Sequence, residues 1–183
     1  MPYQPPPYLA ELTLEAIADQ VATRKLPPVE DWAPQRRGDS EMRIQADGSW
    51  LHQGSPIKRD AMARAFSGLL TRDKEGQHWL VTPFEKLSIE VADAAFIATD
   101  VARKGDDLVF RLNTDELVVA GADHRLLARG NVETPALYLH VRRGCEARLN
   151  RSTYQQLAEI ALEDGDDWRL QSGGEQFSLM PEA

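Results

Sequence analysis

Residues Gly38–Leu70 read GDSEMRIQADGSWLHQGSPIKRDAMARAFSGLL, and this stretch decides the fold class. Asp47-Gly48 is a strong short hairpin signal, because a type I′ turn needs positive φ at both central positions. With those two residues as the turn, Ile44 faces Leu51 and Arg43 lies opposite His52. Gly54 permits a sharp corner. Ser55 is a good N-cap and Pro56 a good first helical residue. Ile57, Ala61, Ala65, Phe66, Leu69 and Leu70 then form an apolar stripe at helical spacing. Hairpin, corner and capped helix in one run predict an α+β fold.

Upstream, Met1–Pro7 is proline-rich and is expected to be an extended arm. Tyr8–Lys25 carries Leu9, Leu14, Ile17, Ala18 and Val21 near helical spacing, and Leu26-Pro27-Pro28 ends that helix. Downstream, the period changes to two. Gln77–Thr82 reads as a strand, and Lys86–Val91 alternates cleanly. Phe96–Arg103, Leu108–Asn113, Glu116–Ala120 and Arg125–Arg129 continue as a meander with short polar turns. Such a meander argues against a doubly wound nucleotide fold. Leu137–Arg142 and Cys145–Leu149 form another hairpin around Arg143-Gly144. A helix with Ser152 as its expected cap follows, then strands at Trp168–Gln171 and Gln176–Leu179.

The two ends of the chain share a plan: hairpin, Ser-capped helix, charged turn and a strand with a tryptophan, over Met42–Val81 and again over Leu137–Leu170. The expected architecture is two related units, each a mostly antiparallel sheet with a helix. The reading divides the chain into an arm and helix (1–36), an N-terminal α+β unit (37–83) and a C-terminal antiparallel-sheet unit with a helix (84–183).

At 183 residues folding buries roughly 70% of the extended-chain surface, so a core needs no staples. The single cysteine, Cys145, allows no internal disulfide and suits a cytoplasmic protein. The start of the chain lacks the basic and apolar regions of a signal peptide, and no apolar run is long enough to span a membrane. A net charge of −8 argues against long nucleic acids as partners. It leaves room for a small anionic ligand held by a local arginine cluster, and sixteen of the 21 basic residues are arginine.

Lys58 and Arg59 stand in the first turn of the helix predicted after Gly54 and Ser55. Acids normally occupy that position, because the N-terminus carries a partial positive charge. A bound phosphate would reverse the repulsion. Side chains turned out into solvent would also relieve it. Arg148 and Arg151 repeat the theme at the later helix. The spacing of GSPIK is not that of a Walker A loop. His52, with Arg43 and Asp39, could do acid–base work or be structural. The remaining histidines have no metal-ligand spacing with Cys145 or the acids, and no metal or cofactor is expected. Cys145 sits next to Gly144 in a turn flanked by Arg142 and Arg143; those cations could activate the thiol for a redox role, and the alternative is an inert thiol. Trp50, Trp79 and Trp168 are expected to anchor a core or an interface. The acidic turn Glu163–Asp167 lacks the terminal glutamate of a calcium loop.

At GDSEMRIQADGSWLHQGSPI, VTPFEKLSIEV and YLHVRRGCEARLNRSTY, the chain resembles a bacterial family with no assigned activity, domain-of-unknown-function family 1285. The resemblance implies a duplicated α+β arrangement with a C-terminal unit loosely like a pleckstrin-homology fold. It also implies a ligand site between the units suited to a nucleotide-like molecule, and a link to signalling. The family has no established catalytic residues to carry over. Polar residues in the matching segments are the candidate ligand contacts: Arg43, His52, Ser55, Lys58, Thr82, Glu85, Lys86, Arg142 and Arg151. The expected function is a cytoplasmic, non-enzymatic binding protein for an anionic ligand. The alternatives are a protein–protein interaction module, using an exposed meander edge or the proline-rich arm, and a hydrolase using His52 and Asp39.

Overall fold

The computed structural model describes residues 7–182 apart from residue 166. The arm expected over Met1–Pro7 therefore lies almost wholly outside the described residues. By its contacts the chain forms two compact units. The first comprises Lys25–Ile97 with His140–Arg148, and the second comprises the described residues up to Arg24 with Ala98–Leu139 and Leu149 onward.

The first sheet uses β1 (Arg36–Ile44), β2 (Trp50–His52), β3 (Ser55–Pro56), β4 (Leu70–Arg72), β5 (His78–Val81) and β6 (Glu85–Val91). The second uses β7 (Phe96–Lys104), β8 (Asp107–Leu112), β9 (Leu117–Val119), β10 (Leu126–Gly130), β11 (Pro135–Arg142) and β12 (Cys145–Leu149). A two-stranded ribbon, β13 (Arg169–Ser172) and β14 (Glu175–Ser178), closes the chain. The helices are α1 (Leu14–Thr23), α2 (Asp60–Ser67) and α3 (Arg151–Asp164). The α+β class and the two related sheets read from the sequence are what the structure shows.

Read from the matching end, the strand order is β4-β5-β6-β1-β2-β3 in one sheet and β10-β11-β12-β7-β8-β9 in the other. The second sheet repeats the first with every strand advanced by six. The repeat thus pairs β1–β2 with β7–β8, and it pairs the β11–β12 hairpin with β5–β6. Sequence pattern alone matches that later hairpin to β1–β2. Both hairpins are followed by a helix, and this resemblance masked the longer period.

Two local readings change. The β1–β2 loop has three residues, not two: Gly48 N donates to Gln45 O at 2.9 Å and Gln45 N donates to Ser49 O at 2.8 Å. Only Gly48 of the pair has positive φ (+87°), which is a type I turn closed by a left-handed glycine. The register becomes Ile44↔Trp50, Arg43↔Leu51 and Met42↔His52. A one-residue slip reverses a side chain's face, so Arg43 and His52 are no longer opposed. The turn with positive φ at both positions comes one hairpin later, at Gln53 (+51°) and Gly54 (+80°). It turns Ser55-Pro56 into β3, paired His52↔Ser55 and Leu51↔Pro56. Proline is tolerated there because β3 is an edge strand. Helix α2 consequently starts at Asp60, with Arg59 as a cap residue that makes no side-chain cap bond.

In the first unit Ile44, Trp50, Leu70, Leu80 and Ile89 are buried. Trp50 stacks on Phe66 of α2 with ring centroids 6.2 Å apart. In the second unit α1 is shorter than the predicted helix. Thr13 caps it by accepting from Ala16 N at 3.1 Å. Its Leu14 and Val21 face solvent, and Leu9, Leu12 and Ile17 pack on Val109 instead. Helix α3 is capped by Asn150 rather than Ser152, the side chain accepting from Thr153 N at 2.9 Å. Leu157 and Ala161 are its buried face.

Candidate functional site

The nine residues singled out from the sequence fall into small groups. In the first unit, exposed Arg43 pairs with Glu90 at 3.5 Å. His52 and Ser55 are cross-strand partners on the β2–β3 edge, both exposed. Lys58 lies before α2, not within its first turn, and that turn carries Asp60. The helix polarity is therefore ordinary, and the predicted cluster of cations inside the helix start does not form. Thr82, Glu85 and Lys86 come together in the β5–β6 turn. Thr82 Oγ1 accepts from Phe84 N and Glu85 N at 3.2 and 3.1 Å. Glu85 meets Arg36 at 4.0 Å. Lys86 Nζ sits 4.6 Å from the centroid of the Trp79 ring, on which Arg37 also packs. Trp79 Nε1 donates to Asp73 at 3.0 Å, and this bond is the main reason the Asp73 carboxyl stays below its ordinary range. Arg142 donates to Ser67 O at 3.3 Å and lies over Phe96, with burial lowering its proton affinity. Arg151, the first residue of α3, belongs to the second unit.

Around Arg143-Gly144 the first unit holds a dense polar knot. Both residues have positive φ, making the two-residue turn read from the sequence. Arg143 donates to Gly68 O and Pro27 O, each at 2.8 Å, and pairs with Glu30. That pairing holds the Glu30 carboxyl below its ordinary range. Arg72 meets Glu146 at 3.1 Å, and Glu146 is nearly buried. Burial, then the nearby Arg72 charge, pushes His78 down to about 4. Cys145 is fully buried, and burial pushes its thiol up to about 12 despite Arg142, Arg72 and Arg143. A neutral, inaccessible thiol is inert. These cations are engaged in holding the fold.

The second unit has arginines of a different kind. An open groove of about 820 Å³ runs along Arg125–Gly130 and is closed on its far side by Arg169, Gln176, Ser178 and the segment Met180–Glu182, with buried Phe177 among its lining residues. Arg125, Leu127 and Arg129 alternate toward one side of the strand, and all three are exposed. Arg129 packs over the Tyr138 ring at 4.5 Å, which restrains it. The side chains of Arg125 and Arg169 make no hydrogen bond or ion pair with a described residue. Arg169 also lines a smaller neighbouring cavity of about 440 Å³ with Arg103, Asp164 and Gln171. The groove thus gathers three guanidinium groups and one carboxylate, Glu182, on a chain of net charge −8. Planar guanidinium groups favour carboxylate and phosphate oxygens. The alternation Arg125-x-Leu127-x-Arg129 was legible in the sequence as one face of a strand. Nothing in the sequence joined it to Arg169, some forty residues later. Among the described residues, no group of three or more His, Cys, Asp or Glu side chains is placed to hold a metal ion. No helix among them is long and apolar enough to cross a membrane.

Comparison with known proteins gives one consistent answer. Residues 27–94 match the model of the N-terminal domain, and residues 95–179 that of the C-terminal domain, of a family described as of unknown function, DUF1285. A crystal structure of a DUF1285 family protein from Silicibacter pomeroyi DSS-3 is 39% identical, with a TM-score of 0.76, covering 92% of this chain and 94% of its own. A second, from Shewanella baltica OS155, shares the fold at 23% identity and a TM-score of 0.53, over 64% of this chain and 90% of its own. No curated protein matches the chain.

Proposed function

The chain belongs to the DUF1285 family, and from that premise we propose that it is a binding protein for an anionic ligand, held in the arginine groove of its second unit. The observation that carries this reading is the placement of Arg125, Arg129 and Arg169 around one open groove. Cavities of roughly 300–1,000 Å³ accommodate small ligands, and the groove falls in that range at about 820 Å³. Arg125 and Arg169 keep their donors available to a ligand, and Arg129 is held in place by Tyr138. Three guanidinium groups set around one open groove are suited to holding carboxylate or phosphate oxygens.

The test is calorimetric titration of the full chain with inorganic phosphate, pyrophosphate, mononucleotides and triglutamate, repeated on the double variant R125A/R169A. A charge-assisted hydrogen bond contributes about 1.5–3 kcal/mol, so losing two should weaken the bound anion by roughly a hundredfold or more. No heat with any member of the series, or an affinity unchanged in the double variant, would overturn the reading.

A further inference from the structure

We infer that the anion taken by this groove is an elongated dianion, a molecule with a carboxylate or phosphate at each end and an apolar chain between. The inference rests on the groove reading above and narrows it to one pattern of charge. Its ground is the way cations and apolar surface alternate along the groove. Arg125 immediately precedes β10 and Arg129 lies within it. Four residues of extended chain span about 13 Å, so the two arginines stand well apart on the same wall. Arg129 is restrained over the Tyr138 ring at 4.5 Å. The Arg125 side chain makes no hydrogen bond or ion pair with a described residue, so it is the one that can adjust to a ligand.

Between the two arginines lies Leu127, 40% exposed and lining the same groove. Met180 and Pro181 add apolar surface to the far side, where Arg169 also stands. A lone phosphate shared by Arg125 and Arg129 would draw its charge over the Leu127 side chain, and setting a charge against apolar surface is unfavourable. A chain charged along its whole length would do the same and would also lay charge on Met180 and Pro181. A molecule with its charges only at the ends avoids both costs. Each end meets a guanidinium fork, Arg169 reinforces one of them, and the apolar middle covers Leu127.

Calorimetric titration of the full chain with a ladder of α,ω-dicarboxylates tests this, from succinate through adipate and suberate to dodecanedioate. Each is paired with the monoacid of the same length, and tripolyphosphate serves as the evenly charged comparator. Two linked groups bind best when the linker matches the span between their sites, and they lose affinity on either side of it. Affinity should therefore pass through a maximum within the ladder, and the best diacid should bind at least tenfold more tightly than its monoacid. On R125A/R169A, which leaves Arg129 alone of the three, that advantage should disappear. A ladder without a maximum, or tripolyphosphate binding more tightly than every diacid, overturns the inference and leaves the anion-binding reading standing. Affinity for the best diacid that is unchanged in R125A/R169A overturns both, and so does an absence of heat with every probe.

Discussion

Strands β4 and β10 occupy the same place in the six-strand repeat, each at an outer edge beside the next strand in the chain, β5 or β11. Different elements lie against their edges: the β11–β12 turn at β4 and the ribbon strand β14 at β10. Strand β4 has three residues, and Arg72 at its end donates its backbone N–H to Arg143 O at 2.9 Å. Gly144 presses against the same residue so closely that a Cβ there would fall 2.6 Å from Arg72 O. Strand β10 is longer, and β14 runs beside it without sharing its ladder. The arginines follow suit. Near β4, Arg72, Arg142 and Arg143 are tied to carboxylates or carbonyls inside the first unit. Near β10, the side chains of Arg125 and Arg169 make no hydrogen bond or ion pair with a described residue. One repeat has used its cations to build structure, and the other leaves two arginine side chains facing an open groove. A duplicated fold can divide labour in this way, because only one copy has to carry the binding surface.

Breaking the closed edge should have the largest effect. Ala at position 144 keeps a left-handed φ of +78° and also meets the Arg72 carbonyl at 2.6 Å. Strain of that kind costs on the order of 3 kcal/mol. Melting temperature falls about 2–4 °C per kcal/mol for chains of this size, so G144A should melt roughly 6–12 °C lower. Gly174, in the β13–β14 turn, has nearly the same φ (+77°) with nothing within 4 Å of a Cβ. G174A carries only the left-handed backbone cost, roughly 1–2 kcal/mol. Thermal melts of the two variants separate the closed contact from the backbone cost, and equal losses would mean that Gly144 is not packed as described.

The same pair of glycines shows what was legible in the sequence. Arg143-Gly144 could be read as a turn because local chemistry decides it. The packing of Gly144 on Arg72 could not, since the two are distant in sequence and only the fold brings them together. The strands were mostly readable for the same local reason: their period of two persists over five or more residues. The helix start at Ser55 failed where two local signals competed. Ser-Pro is a good cap, but Gln53-Gly54 supplies a turn that pairs Ser55 with His52, and strand pairing won. The site was less legible than the fold. Its one visible mark was the alternation of Arg125, Leu127 and Arg129; the placement of Arg169 in the same groove is a property of topology.

The next effect in size belongs to the closed side and depends on pH. His78 is buried, on β5, with Arg72, Asp73 and Glu146 nearby, and is pushed to about 4. An unfolded chain protonates near pH 6.5. Above that value both states are neutral and nothing is lost. As pH falls from 6.5 toward 4, the unfolded state takes up the proton first, and stability drops by on the order of 2–3 kcal/mol. Urea titrations of the natural chain and of H78Q at pH 7 and pH 4.5 should show the variant's deficit narrowing at the lower pH. A deficit that stays constant would show that His78 is not held neutral.

The smallest stability effect should come from the open side, and it is the sharpest form of the comparison. Removing a surface charge that touches nothing usually shifts stability by no more than about 0.5 kcal/mol. R125A/R169A should therefore melt within a degree or two of the natural chain. R72A should cost several-fold more, because it removes the Arg72–Glu146 pair at 3.1 Å from a buried carboxylate. The deciding quantity is the ratio of the two losses by urea denaturation. A double variant as destabilised as R72A would mean that the groove arginines serve the fold, as their counterparts near β4 do. A silent double variant that has lost its ligand would mean that these guanidinium groups are held in place for a partner outside the chain.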